Sequence, residues 1–157
     1  MADGLRIRPL REEETPELAR LWRRARDEAQ PWLEERMGYS AADDLRQLRD
    51  VVAPRCDMWV ADRDGRALGF LAIEGELLDQ LYVDPPEQRR GVGTALLRKA
   101  QELRPAGFHL YTHQRNAGAR AFYDHHGLAA VAFGMSPPPE SEPDVKYVWE
   151  PEPEPER

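Results

Sequence analysis

The sequence predicts a single mixed α/β domain in which about four helices flank one mixed, mostly antiparallel sheet. Three observations predict this fold class. The chain has 157 residues, which is enough for one hydrophobic core and too few for two full domains. Some short segments alternate apolar and polar residues, while others repeat apolar residues at helical spacing. The resulting order of elements, βα, α, βββ, αβ, αβ and β, is typical of one sheet covered by helices.

The N-terminal part of the chain is predicted to hold one strand and two helices. Residues 5–8 alternate as a strand that Pro9 ends. Thr15 can cap a helix with Pro16 at its first position, and a second helix begins at the capping-box sequence Ser40–Asp43. The apolar faces of these two helices consist of Leu18, Leu21, Trp22, Ala25 and Ala29, and of Leu45, Leu48 and Val52.

Three successive antiparallel strands are predicted at residues 58–61, 67–73 and 77–83, with turns at Asp62–Gly65 and Glu74–Gly75 between them. Strict alternation along the third of these strands divides its side chains between two faces of the sheet. One face carries Leu77, Asp79, Leu81 and Val83, and the other carries Glu76, Leu78, Gln80 and Tyr82.

The C-terminal part alternates helices and strands. A helix begins near Val92, a strand covers residues 108–112, a helix covers 117–126, and two strands cover 128–133 and 144–149. The helix near Val92 has an inward stripe that consists of Val92, Ala95, Leu96, Ala100 and Leu103.

Two proline-rich segments flank the last predicted strand. Residues 136–143 are predicted to form an extended loop, because proline fixes φ and lacks a backbone donor. Residues 151–157 form a charged tail that we expect to be disordered. Seven acids and two bases lie between Glu140 and Arg157, so most of the net charge belongs to this end. The predicted domain therefore covers residues 1–150.

The composition excludes several classes of protein. The formal net charge of −7 argues against a nucleic-acid interface, and no apolar run reaches the roughly 18 residues of a membrane-spanning helix. Cys56 is the single cysteine, which excludes an intrachain disulfide, and the N-terminus lacks the features of a secretory signal. We therefore expect a cytoplasmic protein, a monomer or homodimer, that binds neither nucleic acid nor a membrane.

The segment before the helix at Val92 has the features of an anion site. Gly91 and Gly93 let the backbone approach a ligand closely, and the first amides of a helix lack an intrahelical acceptor, which favours an anion there. Arg89 and Arg90 add positive charge. The spacing matches neither the dinucleotide fingerprint nor the Walker loop. Alone, such a glycine pair is more often a tight structural turn.

A second motif runs from Asn116 to Gly127. Seven residues at about 100° each bring Asn116 and Tyr123 within about 20° on a helix and about 10 Å apart along it, so both could contact one extended ligand. Taken singly, Asn116 suits a helix N-cap, and Tyr123 suits a core tyrosine with its hydroxyl at the surface.

Together, these two motifs resemble the GNAT superfamily of acetyl-CoA-dependent N-acetyltransferases. The resemblance is carried by Leu81–Pro85, by Gln88–Leu97, and by Asn116, Ala119, Phe122, Tyr123 and Gly127. It covers residues 5–149 and implies a single-domain GNAT-like fold. Two motifs in this order are fairly specific for acetyl-CoA binding, but they say little about the acceptor.

The resemblance implies a role for each part of the two motifs. Backbone amides from Gln88 to Thr94 would hold the pyrophosphate, and the main chain of Leu81–Val83 would pair with the pantetheine arm and polarise the acetyl carbonyl. Tyr123 is a suitable proton donor to a departing thiolate. The implied cofactor-binding residues are Leu81, Tyr82, Val83, Gln88, Arg89, Arg90, Gly91, Val92, Gly93, Thr94, Asn116 and Tyr123.

A general base is needed because an alkyl amine with a pKa of about 10.4 must lose a proton before it attacks. Asp79 shares its predicted strand face with Leu81 and Val83, and the end of that face should meet the thioester. It is therefore a better candidate than Glu76 or Glu74. Two alternatives remain equally good: Asp79 is a hydrogen-bonded structural acid, or water carries the proton.

The histidines are not expected to bind a metal. His109 and His113 are four residues apart, but they lie on a strand and its end, with no carboxylate motif beside them. His113 could relay a proton. His125 and His126 are simply explained as residues at the C-terminus of a helix, where the helix dipole favours them.

Two function classes follow from the sequence. The first is an N-acetyltransferase that transfers an acetyl group from acetyl-CoA to a primary amine of a small molecule or protein, by direct attack in a ternary complex. The second is a GNAT-like module or scaffold that binds acyl-CoA without turnover. The presence of Tyr123 favours the first. The sequence does not identify the acceptor.

Overall fold

The computed structural model describes residues 4–153, which form one seven-stranded sheet with helices on both faces. The strands are β1 (Leu5–Pro9), β2 (Asp57–Arg63), β3 (Arg66–Glu74), β4 (Leu77–Val83), β5 (Phe108–His113), β6 (Ala129–Met135) and β7 (Pro143–Trp149). The helices are α1 (Thr15–Ala29), α2 (Pro31–Met37), α3 (Ala41–Gln47), α4 (Ala53–Arg55), α5 (Val92–Leu103) and α6 (Ala117–His125). A π-helical turn, Leu48–Val52, joins α3 to α4.

The strands are arranged in the order β1-β2-β3-β4-β5-β7-β6. Neighbouring strands are antiparallel throughout, apart from β4 and β5, which are parallel. The predicted mixed, mostly antiparallel sheet is therefore confirmed.

The parallel strands β4 and β5 are paired only at their N-terminal ends in the described chain and diverge beyond that point. Within residues 4–153 the two strands share one registered pair, Leu77 with His109, at their N-terminal ends. The backbone N–H of His109 also donates to the carbonyl of Glu76 at 2.8 Å. Because no further rungs follow in the described chain, the β5-facing peptide groups of Leu81–Val83 have no strand partner. This separation opens a cleft in the sheet at the C-terminal end of β4.

Two hydrophobic clusters cover opposite faces of the sheet. One lies under α5 and α6 and includes Leu71, Leu96 and Tyr147, all of them fully buried. The other lies under α1 and the turn after α3, and includes Leu48 and Phe70. Phe70 and Leu71 are consecutive on β3 yet belong to different clusters, which is the expected alternation of a strand that is buried on both faces.

The helix α2 was not predicted from the sequence, because its seven residues carry too few apolar side chains for a helical stripe. Buried ion pairs hold it in place instead. Arg26 of α1 donates to Glu34 of α2 and to Asp44 of α3, each at 2.8 Å. Gln30 donates to the other carboxylate oxygen of Glu34 at 2.8 Å. The buried charges of Arg26, Glu34 and Asp44 are therefore all paired, as burial requires.

The two predicted helix starts had different outcomes. The capping box is confirmed, because the Ser40 hydroxyl accepts from the Asp43 amide while the Asp43 carboxylate accepts from the Ser40 amide. The predicted cap at Thr15 is wrong. Thr15 is the first helical residue, Glu14 holds the cap position, and the Thr15 hydroxyl donates to the Glu12 carbonyl at 2.8 Å.

A β-bulge corrects the predicted alternation along β4. Ala72 pairs with Gln80 and Ile73 pairs with Leu78, so Asp79 is an extra residue with no partner on β3. As a result, Leu78 is buried in the cluster under α5, against which Leu81 also packs. The prediction that Leu78 and Leu81 face opposite sides is wrong, since a bulge shifts the alternation by one residue.

The C-terminal end is described only in part. Residues 151–153 are exposed and have no regular secondary structure, while 154–157 lie outside the described residues. The disordered tail and the domain boundary at residue 150 therefore stay predictions. No helix between residues 4 and 153 is long and apolar enough to span a bilayer.

Truncation tests the boundary of the domain. Removal of residues 151–157 should leave the melting temperature unchanged, because a charged proline-rich segment buries little apolar area. Removal of residues 144–157 should abolish cooperative unfolding, because β7 lies between β5 and β6 and contributes the fully buried Val145 and Tyr147. Thermal denaturation followed by circular dichroism measures both. A stable, cooperatively folded protein that ends at residue 143 would contradict the central position of β7.

Candidate functional site

A cleft of ≈ 940 Å³ lies where β4 and β5 separate. Its walls are formed by the end of α1, the end of β4, the loop before α5 and the first turn of α5. Helix α6 and the two residues before it form the remaining wall. Most of the residues implied in cofactor binding line it: Leu81, Tyr82, Val83, Gln88, Arg89, Gly91, Gly93, Thr94, Asn116 and Tyr123. The structure therefore brings the two sequence motifs to one site.

The loop before α5 forms one end of this cleft. Gly91 is the N-cap residue of α5 and has a left-handed backbone with φ 85°. The first intrahelical bond of α5 runs from the Ala95 amide to the Gly91 carbonyl at 3.0 Å, so the amides of Val92–Thr94 have no acceptor within the helix. A Cβ placed on Gly91 would meet no protein atom within 4 Å. The loop thus combines free amides, the positive end of a helix and open space, which suits an anion.

Ion pairs hold the loop against two other elements. Arg24 of α1 donates two hydrogen bonds of 2.9 Å to the carboxylate of Asp84, which begins the loop. The buried Glu87 accepts from Arg63 at 3.3 Å and from Arg66 at 3.0 Å. The residues in these pairs are at least 21 positions apart in sequence, so no local motif indicated them. They anchor the loop on both sides before any ligand binds.

Gly93 sets the distance between α5 and α6. A Cβ at this position would lie 3.2 Å from the Phe122 ring and 3.6 Å from the Val83 side chain. Any larger residue would therefore push α6 away from α5. Since both helices line the cleft, this contact fixes the width of the cleft near its anion-binding end.

Asn116 has the capping role that the sequence suggested, and it is placed where the second role, contact with a ligand, is also open to it. It is the N-cap residue of α6, and its Oδ1 accepts from the Ala119 amide at 3.1 Å. The cap uses the carbonyl oxygen of the side chain, which leaves the Nδ2 hydrogens available as donors. Because Asn116 also lines the cleft, it can cap the helix and contact a ligand at once.

Tyr123 lies on α6, and its ring is 93 % buried in the cluster under α5 and α6, next to the ring of Tyr147 at 5.6 Å. Burial, reinforced by the nearby Tyr82, raises the pKa of the Tyr123 phenol above its ordinary value. The hydroxyl therefore keeps its proton at neutral pH and is a hydrogen-bond donor on a residue that lines the cleft.

Three predicted site residues are not part of the cleft lining in the described chain. Val92 is buried in the core, so only its backbone amide faces the anion-binding end. Arg90 lines a neighbouring groove that shares Gly91 and Thr94 with the cleft. Asp79 lies at the bulge of β4, where its carboxylate accepts from Gln80 Nε2 at 3.2 Å. Its proposed role as a base therefore needs a bridging water or a movement of the strand.

The region around Tyr82 carries several negative charges. Burial raises the pKa of the Tyr82 phenol to about 12, against the opposing charge of Arg26. Three carboxylates contribute to the rise, namely Glu34, Glu140 and Asp79. Glu34 is paired with Arg26 at 2.8 Å, so the negative charge that remains near Tyr82 is that of Asp79 and Glu140.

The histidines do not form a metal centre. His113 Nε2 lies 3.8 Å from a carboxylate oxygen of Glu140. Among residues 4–153, however, no three His, Cys, Asp or Glu side chains are close enough together to hold a metal ion.

Comparison with known proteins gives the family. Residues 54–127 match the family described as the acetyltransferase (GNAT) domain. The chain is 31% identical over 126 residues to the peptidyl-lysine N-acetyltransferase YiaC of Escherichia coli K12, which covers 80% of this chain and 84% of that one. The chain belongs to the GNAT family of N-acetyltransferases. It is also 32% identical over 125 residues to the peptidyl-lysine N-acetyltransferase YjaB of Salmonella typhimurium LT2, covering 79% of this chain and 83% of the relative.

Solved structures agree with this assignment to the GNAT family. The solution structure of apo YjaB from Escherichia coli superimposes with a TM-score of 0.74 and 26% identity, over 92% of this chain and 96% of that one. The PaiA N-acetyltransferase of Thermoplasma acidophilum in complex with coenzyme A has the same fold, with a TM-score of 0.64 and 20% identity over 90% of this chain and 97% of that one. The resemblance stated from the two motifs is confirmed, as is the predicted fold.

The substitution Gly91→Asp tests the anion-binding loop. The new carboxylate would occupy the open space in front of the α5 amides, so the affinity for acetyl-CoA measured by calorimetry should fall by more than about 100-fold. Gly65→Asp in the β2–β3 turn is a matched control, because Gly65 has φ 83° and equally open surroundings. It should bind as tightly as wild type. Wild-type affinity in Gly91→Asp would mean that the loop does not hold the diphosphate.

Proposed function

We propose that this GNAT protein transfers the acetyl group of acetyl-CoA to the primary amine of a lysine side chain, by direct attack in a ternary complex. The observation that carries the proposal is the single cleft whose lining includes both the anion-binding loop and Tyr123. Diphosphate and thioester lie at opposite ends of coenzyme A's pantetheine arm. One extended ligand can therefore occupy both ends of the cleft.

In this proposal the cofactor lies along the separated edge of β4. The amides of Val92–Thr94 receive the diphosphate, and Arg89 adds positive charge at the mouth. The β5-facing peptide groups of Leu81–Val83 have no strand partner, although the Val83 carbonyl accepts from Gln88 Nε2 at 3.2 Å. They hydrogen-bond the pantetheine arm as a strand would, and one of their N–H groups polarises the acetyl carbonyl. Asn116 donates to the arm from the opposite wall.

Tyr123 acts at the sulfur. As the amine nitrogen forms its bond to the acetyl carbon, the carbon–sulfur bond breaks and negative charge develops on the sulfur. A thiol has an ordinary pKa of about 8.5, so the leaving thiolate is stabilised by a hydrogen-bond donor and then protonated. Tyr123 holds its proton at neutral pH and lines the cleft, which supports this role.

The acceptor is proposed to be a lysine side chain for two reasons. Two relatives that are 31% and 32% identical to this chain over the aligned residues are named peptidyl-lysine N-acetyltransferases. In addition, Asp79 and Glu140 near Tyr82 are carboxylates that an approaching ammonium group would favour, whereas the nearby Glu34 is already paired with Arg26. Asp79 is the candidate base within this set, acting through one water because the bulge sets its carboxylate back from the cleft.

Thiol release over a panel of amines tests the proposed function. Acetyl-CoA is supplied with lysine-containing peptides, N-α-acetyl-lysine and small polyamines, and free coenzyme A is measured. Turnover with lysine peptides is expected. Tight binding of acetyl-CoA with no turnover on any amine would support a non-catalytic module instead.

Tyr123→Phe separates binding from chemistry. The ring and its packing are kept, so the affinity for acetyl-CoA should be unchanged, while kcat should fall by about 10²- to 10⁴-fold because the donor to sulfur is lost. Tyr111→Phe is the control, since Tyr111 is a half-exposed tyrosine on β5 outside the cleft. A kcat within about threefold of wild type would remove Tyr123 from the mechanism.

Asp79→Asn tests the base. The amide keeps the size of the side chain but cannot accept a proton, so kcat should fall by about 10²-fold or more, with the acetyl-CoA affinity unchanged. Glu76→Gln on the preceding turn is the comparison, and its kcat should match wild type. Equal rates for Asp79→Asn and wild type would mean that water or another group removes the proton.

A further inference from the structure

We infer that His126 is a positioning residue of the cofactor site. In the free protein His126 accepts a hydrogen bond from the Thr94 hydroxyl. When His126 takes up a proton, the hydroxyl hydrogen of Thr94 becomes available to the phosphate. The inference rests on the proposed function, because it assumes that the α5 N-terminus binds the diphosphate of acetyl-CoA. His126 was predicted only as a residue favoured by the end of a helix. The structure shows contacts that this simple explanation does not require.

His126 joins the two helices that line the cleft. It follows the last residue of α6, and its Nδ1 lies 2.8 Å from the Phe122 carbonyl oxygen. Its Nε2 lies 3.0 Å from the hydroxyl oxygen of Thr94, in the first turn of α5. The imidazole also packs against the Phe122 ring, with 4.4 Å between centroids. Both ring nitrogens are therefore engaged, and the ring is held in one orientation.

The partners of His126 determine where its proton lies. A carbonyl oxygen only accepts hydrogen bonds, so Nδ1 carries the hydrogen and donates to Phe122. In the neutral imidazole, Nε2 is then an acceptor, and the Thr94 hydroxyl must donate to it. The single hydroxyl hydrogen of Thr94 is thus used within the protein.

A phosphate at the α5 N-terminus changes this arrangement. Thr94 lines the cleft beside the free amides of the first helical turn, so its hydroxyl can reach an anion bound there. If the hydroxyl donates to the phosphate, Nε2 and the hydroxyl oxygen become two acceptors 3.0 Å apart. Protonation of Nε2 resolves the conflict, because Nε2–H then donates to Thr94 and the hydroxyl hydrogen is free for the phosphate.

The charges around His126 are compatible with this switch. The titratable or charged groups that line the same cleft are Glu28 of α1, Tyr82 of β4, Arg89 of the loop, Arg115 before α6, and Tyr123 and His125 of α6. The neighbouring groove adds Arg90 and Arg98 near Thr94. Arginines stay charged throughout the physiological pH range and tyrosines stay neutral. His125, whose ring lies 5.2 Å from that of His126, is therefore the main competing group to test.

Binding of acetyl-CoA should consequently take up a proton. The arrangement of the free protein has a neutral imidazole that accepts from Thr94, and the arrangement with phosphate has a protonated one, so uptake of up to about one proton is expected. The affinity should rise as the pH is lowered from about 7.5 to 6.5, since the bound state holds more protons than the free state.

Calorimetry in two buffers measures the uptake directly. Acetyl-CoA is titrated into the full chain at pH 7.5 in Tris and in HEPES, and the difference in observed enthalpy gives the number of protons bound. His126→Gln and Thr94→Val should each lower the uptake by at least about half a proton relative to wild type. Thr94→Ser keeps the hydroxyl and should restore the wild-type value. His126→Asn provides a second variant if glutamine disturbs the fold.

The outcomes separate the inference from the proposed function. If wild type does not bind acetyl-CoA, the proposed function itself is wrong. If wild type binds it with no proton uptake, or if His125→Gln removes the uptake and His126→Gln keeps it, the role of His126 is wrong while the cofactor site stands. Unchanged uptake in Thr94→Val would also overturn the inference, because the proton would then respond to the phosphate without the hydroxyl.

Discussion

The separation of β4 from β5 is the constraint on which the rest of the site depends. A parallel pair normally continues its hydrogen bonds along both strands. Here the pairing within the described chain stops after Leu77 and His109. The lost rungs leave polar backbone along Leu81–Val83, and such groups are costly unless something pairs with them. A ligand with amide groups of its own can take the place of the missing strand, which is why we propose that the pantetheine arm binds in this gap.

The surrounding packing keeps this gap open and correctly shaped. The two hydrophobic clusters anchor β4 through β3, while β7 supports β5 from the other side. The contact of Gly93 with Phe122 sets the spacing of α5 and α6. The pair of Arg24 with Asp84 fixes the loop against α1. The anion-binding end is thus organised by the fold before the cofactor arrives, which lowers the entropy lost on binding.

The features that could be predicted from the sequence are those determined by patterns within short segments of the chain. The element order and the β2–β3–β4 strands follow from periodicity and spacing within short segments. The pairing of the glycine loop with the Asn116–Tyr123 motif came from the resemblance to the GNAT superfamily. The sequence did not predict α2, whose position depends on the buried contacts of Glu34 with Arg26. The bulge at Asp79 was missed as well, since one extra residue in a strand leaves no mark in an alternating apolar pattern. Similarly, the contact of His126 with Thr94 joins residues 32 positions apart and became visible only in the structure.

The most direct test of the proposed cofactor site is a crystal structure of the protein with coenzyme A bound. We expect the diphosphate oxygens to lie about 2.7 to 3.2 Å from the amides of Val92–Thr94. The pantetheine amides should pair with the main chain of Leu81–Val83, and the sulfur should lie within about 4 Å of the Tyr123 hydroxyl. A coenzyme A molecule bound away from the α5 N-terminus, or one whose sulfur lies far from Tyr123, would contradict the assignment of this cleft.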